Sequence, residues 1–150
     1  MNVQEIMTKN PICCNIDDKA SQAAQVFWEK DCGCVPLVDD QGQLCGIVTD
    51  RDLCLAAHFS DKKLSEIPLR EVSRGNVHTC SPQQNVIEAE RLMQDAQVRR
   101  IVVINPEGQV VGLLSLNDIA SARMRRIGVP ADDVALTLGA ICAPHRQAAE

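Results

Sequence analysis

Apolar positions along the chain fall into two successions that run in the same order. In the first, Ile12 to Ile16 reads as a short extended stretch, and Ala20, Ala23, Val26 and Phe27 then recur at helical spacing behind the cap candidates Asp17 and Asp18. Val35-Pro36-Leu37-Val38 reads as a buried strand, Asp39-Asp40-Gln41-Gly42 as a hairpin turn, and Leu44 to Val48 as the returning strand, with a second helix opening at Thr49. The second succession places a cap and first helical residue at Ser81-Pro82, an apolar helix stripe at Val86, Ala89, Leu92, Met93 and Ala96, and a strand over Arg100 to Ile104. The turn Asn105-Pro106-Glu107-Gly108 and the strand Val110 to Leu114 complete it. Each half therefore predicts a β-α-β-β-α unit.

The likeness extends to residue identity. A shift of 66 positions lays 3–56 on 69–122 without a gap and gives nine identities, against roughly three expected from average residue usage. The positions that agree are informative: Gly42 falls on Gly108, Gly46 on Gly112, Thr49 on Ser115 and Asp52 on Asp118. Two turn glycines and one polar constellation recur together, so the chain is a tandem duplication. Residues 1–60 form the first repeat, 61–68 a polar linker containing Pro68, and 69–126 the second repeat. The remainder, 127–150, has no counterpart; its start at Val129-Pro130-Ala131 predicts an extra helix running to about Ala143 before Pro144 stops it. The apolar residues of that helix, Val134, Leu136, Leu138 and Ile141, require a partner surface.

Composition narrows the classes. Hydrophobic residues make up 45% and charged residues 23% of the 150, which suits a folded domain rather than a disordered chain. Trp28, Phe27 and Phe59 are the only aromatics, so the core must be aliphatic and base-stacking platforms are nearly absent. A net charge of −5 works against non-specific attraction to nucleic acid or anionic lipid. The N-terminal residues lack the charged start and apolar run of a signal peptide, and no stretch is long enough to span a bilayer, so a cytoplasmic setting is expected. In that setting the eight cysteines read as reduced thiols packed like small hydrophobes. Neither Cys13-Cys14 nor Cys32-Gly33-Cys34 has a zinc-knuckle spacing, and no metal site is expected.

The candidate chemistry sits in two segments, Gly46-Ile47-Val48-Thr49-Asp50-Arg51-Asp52 and Gly112-Leu113-Leu114-Ser115-Leu116-Asn117-Asp118, each at a strand-to-helix junction. A hydroxyl followed three residues later by an acid makes a capping box without any ligand. The same geometry presents helix N–H groups to phosphate and a carboxylate to the hydroxyls of a ribose.

Both segments match Gly-hydrophobic-any-Thr/Ser-any-any-Asp, and in this the sequence resembles the CBS (cystathionine-β-synthase-type) domain family, over about residues 3–126. Ile6-Met7-Thr8-Lys9-Asn10-Pro11 and Val35-Pro36-Leu37-Val38-Asp39 are similar to two further elements of that family. The resemblance implies an α/β (α+β) fold of two β-α-β-β-α repeats related by pseudo-two-fold symmetry, paired into one disc with two clefts. It also implies a regulatory module that binds an adenosine-containing ligand: AMP, ADP, ATP, NAD or S-adenosylmethionine. Carried over, Asp52 and Asp118 hold ribose, Thr49 and Ser115 face ribose or phosphate, and Val35, Pro36 and Ile101 belong to the strands that sandwich adenine. Thr79 matches a ligand-contacting position of the opening strand where the first repeat has Cys13. Arg51 offers phosphate a charge where the second repeat offers Asn117, and Val102 replaces Pro36.

Three other readings compete. Catalysis finds no nucleophile or metal motif around His58, His78 and His145. A thiol-based redox sensor rests on Cys13, Cys14, Cys32 and Cys34, against which stands the reading of small core residues. A nucleic-acid surface rests on Arg99-Arg100 and on Arg123, Arg125 and Arg126, which equally suit the end of a helix. The expectation is thus a non-enzymatic module with no required cofactor, an adenosyl ligand, an unidentified regulated protein, no membrane and no nucleic acid. A homodimer covers Leu53, Leu55 and Ile119 together with the extra helix, and a ligand-free dimerisation scaffold is the alternative.

Overall fold

The computed structural model describes residues 1–73, 75–125 and 132–143. Arg126, the expected helix start at Val129 to Ala131, the stop at Pro144 and His145 lie outside the described residues. The fold is mixed α/β. A short 3-10 turn, Val3–Glu5, precedes β1 (Thr8–Lys9), β2 (Cys14–Asn15), α1 (Ala20–Lys30), β3 (Cys34–Val38), β4 (Leu44–Thr49) and α2 (Asp50–Ser60). There follow α3 (Leu69–Val72), β5 (Thr79–Cys80), α4 (Val86–Ala96), β6 (Arg100–Ile104), β7 (Val110–Ser115), α5 (Leu116–Arg125) and α6 (Asp132–Cys142). The strands form two sheets, β2-β3-β4 and β1-β7-β6-β5.

Contacts divide the chain into two compact units. One comprises 10–77 and 104–111; the other comprises 1–9, 78–103 and 112–150. The opening segment of each repeat is thus housed in the unit of the other. In one unit the Leu69 N–H donates to Asp18 O (2.8 Å) and the Ala20 N–H to Ile67 O (2.8 Å). In the other, the Val3 N–H donates to Gln84 O (3.0 Å) and the Val86 N–H to Met1 O (3.1 Å), which are the same bonds shifted by 66 positions. The segment expected as a linker accordingly packs: its Ile67 is buried, together with Leu69 just beyond it, with Cys14, Ala20, Ala23, Val35, Leu37, Val48 and Leu53 in the core of the first unit.

The duplication is visible down to the turns. Gly42 and Gly108 take φ of +78° and +81°, a region open to glycine at no steric cost. In each hairpin the first turn residue fixes the loop: Asp39 Oδ1 accepts from the N–H groups of Gln41 and Gln43 (both 2.9 Å), and Asn105 Oδ1 from Gln109 N–H (2.8 Å). Helices α1 and α4 both end on a left-handed residue, Asp31 and Gln97.

Two expected helix starts move. Asp18 takes the N–H of Asn15 (3.0 Å) and Asp17 pairs with Arg70, so α1 begins after Lys19 instead. Ser81 opens a turn closed by Gln84 N–H to Ser81 O (3.2 Å), and α4 begins after Asn85, whose Oδ1 accepts from Ile87 N–H (2.9 Å). In both cases a turn comes first and the cap residue, Lys19 or Asn85, is held extended by a bridge to Pro68 or Asn2, so the helix starts only after it.

The expectations about exposed helices are also revised. Leu53 and Ile119 are buried in their own units. Helix α6 is not without a partner: it packs on α4 and α5, burying Thr137 and Ile141.

Candidate functional site

In the first unit, β4 alternates so that Gly46 and Val48 face inward, and the strand runs straight into α2 with Thr49 as the cap residue. Thr49 has extended backbone (φ −117°, ψ 164°), which aims its hydroxyl back over the first turn. Thr49 Oγ1 accepts from Asp52 N–H (3.2 Å), while Asp52 Oδ2 accepts from Thr49 N–H (3.0 Å) and from the Thr49 hydroxyl (2.7 Å). Asp52 is only 7% exposed. Ionised carboxylates accepting two such bonds are held firmly in one rotamer.

The second junction repeats this. Ser115 Oγ accepts from Asp118 N–H (3.2 Å), and Asp118 Oδ2 accepts from Ser115 N–H (2.8 Å) and the Ser115 hydroxyl (2.5 Å). The Leu116 N–H is tied to Arg99 O (3.0 Å), which fixes the start of α5 against the residue that leads into β6. Met7 approaches Gly112 closely: a Cβ there would lie 2.3 Å from Met7 Sδ. Met7 is held in place by β1, which pairs antiparallel with β7 through Thr8–Leu113 and Lys9–Gly112.

The remaining expected site residues divide into two groups. Thr79 is half-buried on β5 and stands opposite Val102 of β6, with Val102 N–H donating to His78 O (3.2 Å). The position of Val102 in the first repeat is Pro36, which has no N–H to give. Strand β2 consequently starts one residue later, at Cys14, and Cys13 stays half-buried outside the ladder. Val35, Pro36 and Ile101 are buried on the central strands. Val35 and Ile101 belong to the core, at 1% and 0% exposed. Arg51 is exposed at the start of α2.

Asp50, which the sequence reading passed over, bonds the Arg51 N–H (2.8 Å) through Oδ1 and sets a second carboxylate at the mouth of the first junction. Its place directly after the cap residue was the available signal; the second junction has Leu116 there.

No disulfide joins any of the eight cysteines. Burial raises the Cys13 thiol and pushes Cys14 and Cys80 up to about 11, with Asp18 and neighbouring thiols adding to the effect at Cys14. These three stay protonated near neutrality and are poor nucleophiles. Among the described residues no group of three or more His, Cys, Asp or Glu side chains is placed to hold a metal, and no helix is long and apolar enough to cross a membrane.

Two capped strand-to-helix junctions, one in each repeat and each preceded by a parallel-paired opening strand, define a duplicated binding module. The CBS domain profile matches residues 3–58 and 69–125. The chain belongs to the CBS domain family.

Among curated relatives, hypoxic response protein 1 of Mycobacterium tuberculosis is 27% identical over 141 residues, 94% of each chain. Protein MK0525 of Methanopyrus kandleri is 27% identical over 119 residues, of which this chain spans 61% of the length. The crystal structure of Hypoxic Response Protein I with two coordinated zinc ions superposes with a TM-score of 0.74 at 25% identity, covering 87% of this chain and 100% of that one. The CBS domain pair of protein MJ0100, in complex with 5-methylthioadenosine and S-adenosyl-L-methionine, does so with 0.72 at 25% identity, covering 81% and 98%.

Proposed function

We propose that this CBS pair is a non-catalytic regulatory sensor that binds an adenosine-containing small molecule and passes its occupancy to a partner protein. The observation that carries the reading is the duplicated Thr49–Asp52 and Ser115–Asp118 arrangement. At the second junction both bonds accepted by the carboxylate converge on Oδ2, and no hydrogen bond to Oδ1 occurs among the described residues. A fixed carboxylate with one oxygen to spare, beside helix N–H groups, suits a ribose diol with phosphate or a substituent beyond it. The ligands named for the MJ0100 pair, S-adenosyl-L-methionine and methylthioadenosine, share the adenosyl group that this geometry suits. The rest of the reading is a cytoplasmic homodimer with no required cofactor, no membrane association and no nucleic-acid partner. The net charge of −5 supports the last point.

Thermal melts in millimolar AMP, ADP, ATP, NAD and S-adenosylmethionine test the ligand class. A ligand held only by the native state at a hundred times its Kd adds about 2.7 kcal/mol of stability. At least one of the five is expected to raise the midpoint. No shift with any of them overturns the sensor reading in favour of a dimerisation scaffold.

A further inference from the structure

The duplication provides an internal comparison for helix α6, which has no counterpart in the first repeat. Ala23 and Leu53 of the first repeat correspond to Ala89 and Ile119 of the second, and all four are buried in their own units. A repeat therefore closes its core without such a helix. Helix α6 also brings little apolar surface to its unit: of residues 134–142 only Thr137 and Ile141 are buried.

What holds α6 on α4 and α5 is largely polar. Thr137 Oγ1 donates to Glu90 Oε1 (2.6 Å) and accepts from Gln94 Nε2 (2.7 Å), Arg123 pairs with Glu90, and Gln97 Nε2 donates to the carbonyls of Ala140 (3.1 Å) and Ala143 (3.2 Å). The Arg99 guanidinium reaches Cys142 Sγ (3.9 Å). Shifted by 66 positions, Glu90, Gln94, Gln97, Arg99 and Arg123 become Ala24, Trp28, Asp31, Gly33 and Ala57. The seat is thus particular to α6. It is also one that can be vacated, because hydrogen-bonding groups exchange protein partners for water at small net cost. The face left behind keeps its Glu90–Arg123 pair and its amides, and is no apolar patch.

Two of the seat residues also hold the second junction. Arg99, whose side chain meets the end of α6, gives its carbonyl to the Leu116 N–H (3.0 Å) at the first residue of α5. Arg123, which pairs with the Glu90 that Thr137 bonds, follows Asp118 on α5 at about 7.5 Å along the helix axis. We propose that α6 is a releasable strap whose docking is coupled to the Ser115–Asp118 junction through Arg99 and α5. The sign of the coupling follows from shared ordering. Docking fixes the 97–99 segment and α5, and a ligand gripped by Asp118 needs both fixed, so whichever event comes first spares the other that entropy. The coupling is reciprocal. A ligand in the second junction fastens α6, an empty junction lets it go, and α6 carries the occupancy of the site outward. The ligand step rests on the adenosyl reading above; the link between α6 and the junction does not.

Amide hydrogen exchange followed by NMR on the full chain tests both parts. In the ligand-free wild type the amides of α6 should exchange at least about tenfold faster than those of α4, as a segment that opens on its own. Thr137→Val removes the hydroxyl that sits between Glu90 and Gln94. Gln97→Asn withdraws the clamp on the last turn with a shorter amide that still suits the left-handed backbone there (φ +51°). Each variant should speed α6 a further several-fold and speed the Leu116 amide with it, while β3 of the first unit keeps its rate; Thr137→Ser should restore both. Exchange of α6 at the rate of α4 overturns the strap, and faster α6 with an unchanged Leu116 overturns the coupling. Millimolar AMP, ATP and S-adenosylmethionine are then added singly, with calorimetry recording which binds. A probe whose binding Asp118→Ala weakens occupies the second junction; it should slow α6 several-fold in the wild type and bind several-fold more weakly to Gln97→Asn. Occupancy of that junction with no change in α6 overturns the proposal. If no probe occupies it, the adenosyl reading fails there, and the ligand-free comparison still decides whether α6 and the junction are coupled.

Discussion

Replacing Glu90 with alanine should be among the most damaging single changes in the chain. Glu90 is buried on α4, where it accepts from Thr137 of α6 and pairs with the nearly buried guanidinium of Arg123 on α5. Removing it withdraws the carboxylate from a desolvated cation and breaks a hydrogen bond that ties α6 down. Breaking one side of a buried ion pair costs about 3–5 kcal/mol, whereas replacing both members by apolar residues of similar volume is often neutral. Urea unfolding followed by far-ultraviolet dichroism should therefore show Glu90→Ala losing about 3–5 kcal/mol, and Glu90→Leu combined with Arg123→Met losing no more than about 1 kcal/mol. Since α5 begins at the Ser115–Asp118 junction, the single variant also loosens the helix that carries the second candidate site. A loss below about 1 kcal/mol for Glu90→Ala, or an equal loss for the double replacement, would refute the idea that the pair clamps three helices.

Two further outcomes follow from the local geometry. Gly112→Ala drives a methyl group against Met7 Sδ and should cost about 1–3 kcal/mol, relieved when Met7 is shortened to alanine; an unaffected melting midpoint in Gly112→Ala alone would show that Met7 simply moves aside. The raised thiols of Cys14 and Cys80 bind their protons more tightly in the folded chain, so the stability they contribute is complete below about pH 8.5 and is lost as pH rises toward about 11. Denaturation between those limits should show stability falling, and Cys14→Ala with Cys80→Ala should flatten the slope; identical slopes would contradict the assignment.

Much of this architecture is legible in the residues because its causes are local. Gly42 and Gly108 mark turns that need left-handed backbone, and the hydroxyl-to-acid spacing at Thr49–Asp52 and Ser115–Asp118 is a capping geometry whatever surrounds it. What misleads is non-local. Ser81-Pro82 has the chemistry of a helix start, yet Ser81 to Gln84 closes into a turn and the N-terminal segment bridges Asn85, which it holds extended, so the helix starts only at Val86. The shift between Cys13 and Thr79 has its cause in Pro36 of a neighbouring strand, visible only once the parallel pairing is known. The partner of α6 was hidden because Glu90 and Arg123 read as surface charges until the helix that buries them is in place.

The central claim, that the paired junctions hold an adenosyl ligand by its ribose, is tested most directly by calorimetric titration of AMP, ATP and S-adenosylmethionine into the wild type, Asp52→Ala, Asp118→Ala and the cap control Ser115→Ala. Loss of a charged acceptor from a ribose hydroxyl removes about 1.5–3 kcal/mol, or roughly ten- to a hundred-fold in affinity. Each aspartate variant should lose that much in its own repeat, while Ser115→Ala, which keeps the carboxylate, loses less than about tenfold. Affinity that survives both aspartate replacements would contradict the account and reduce the two junctions to helix caps.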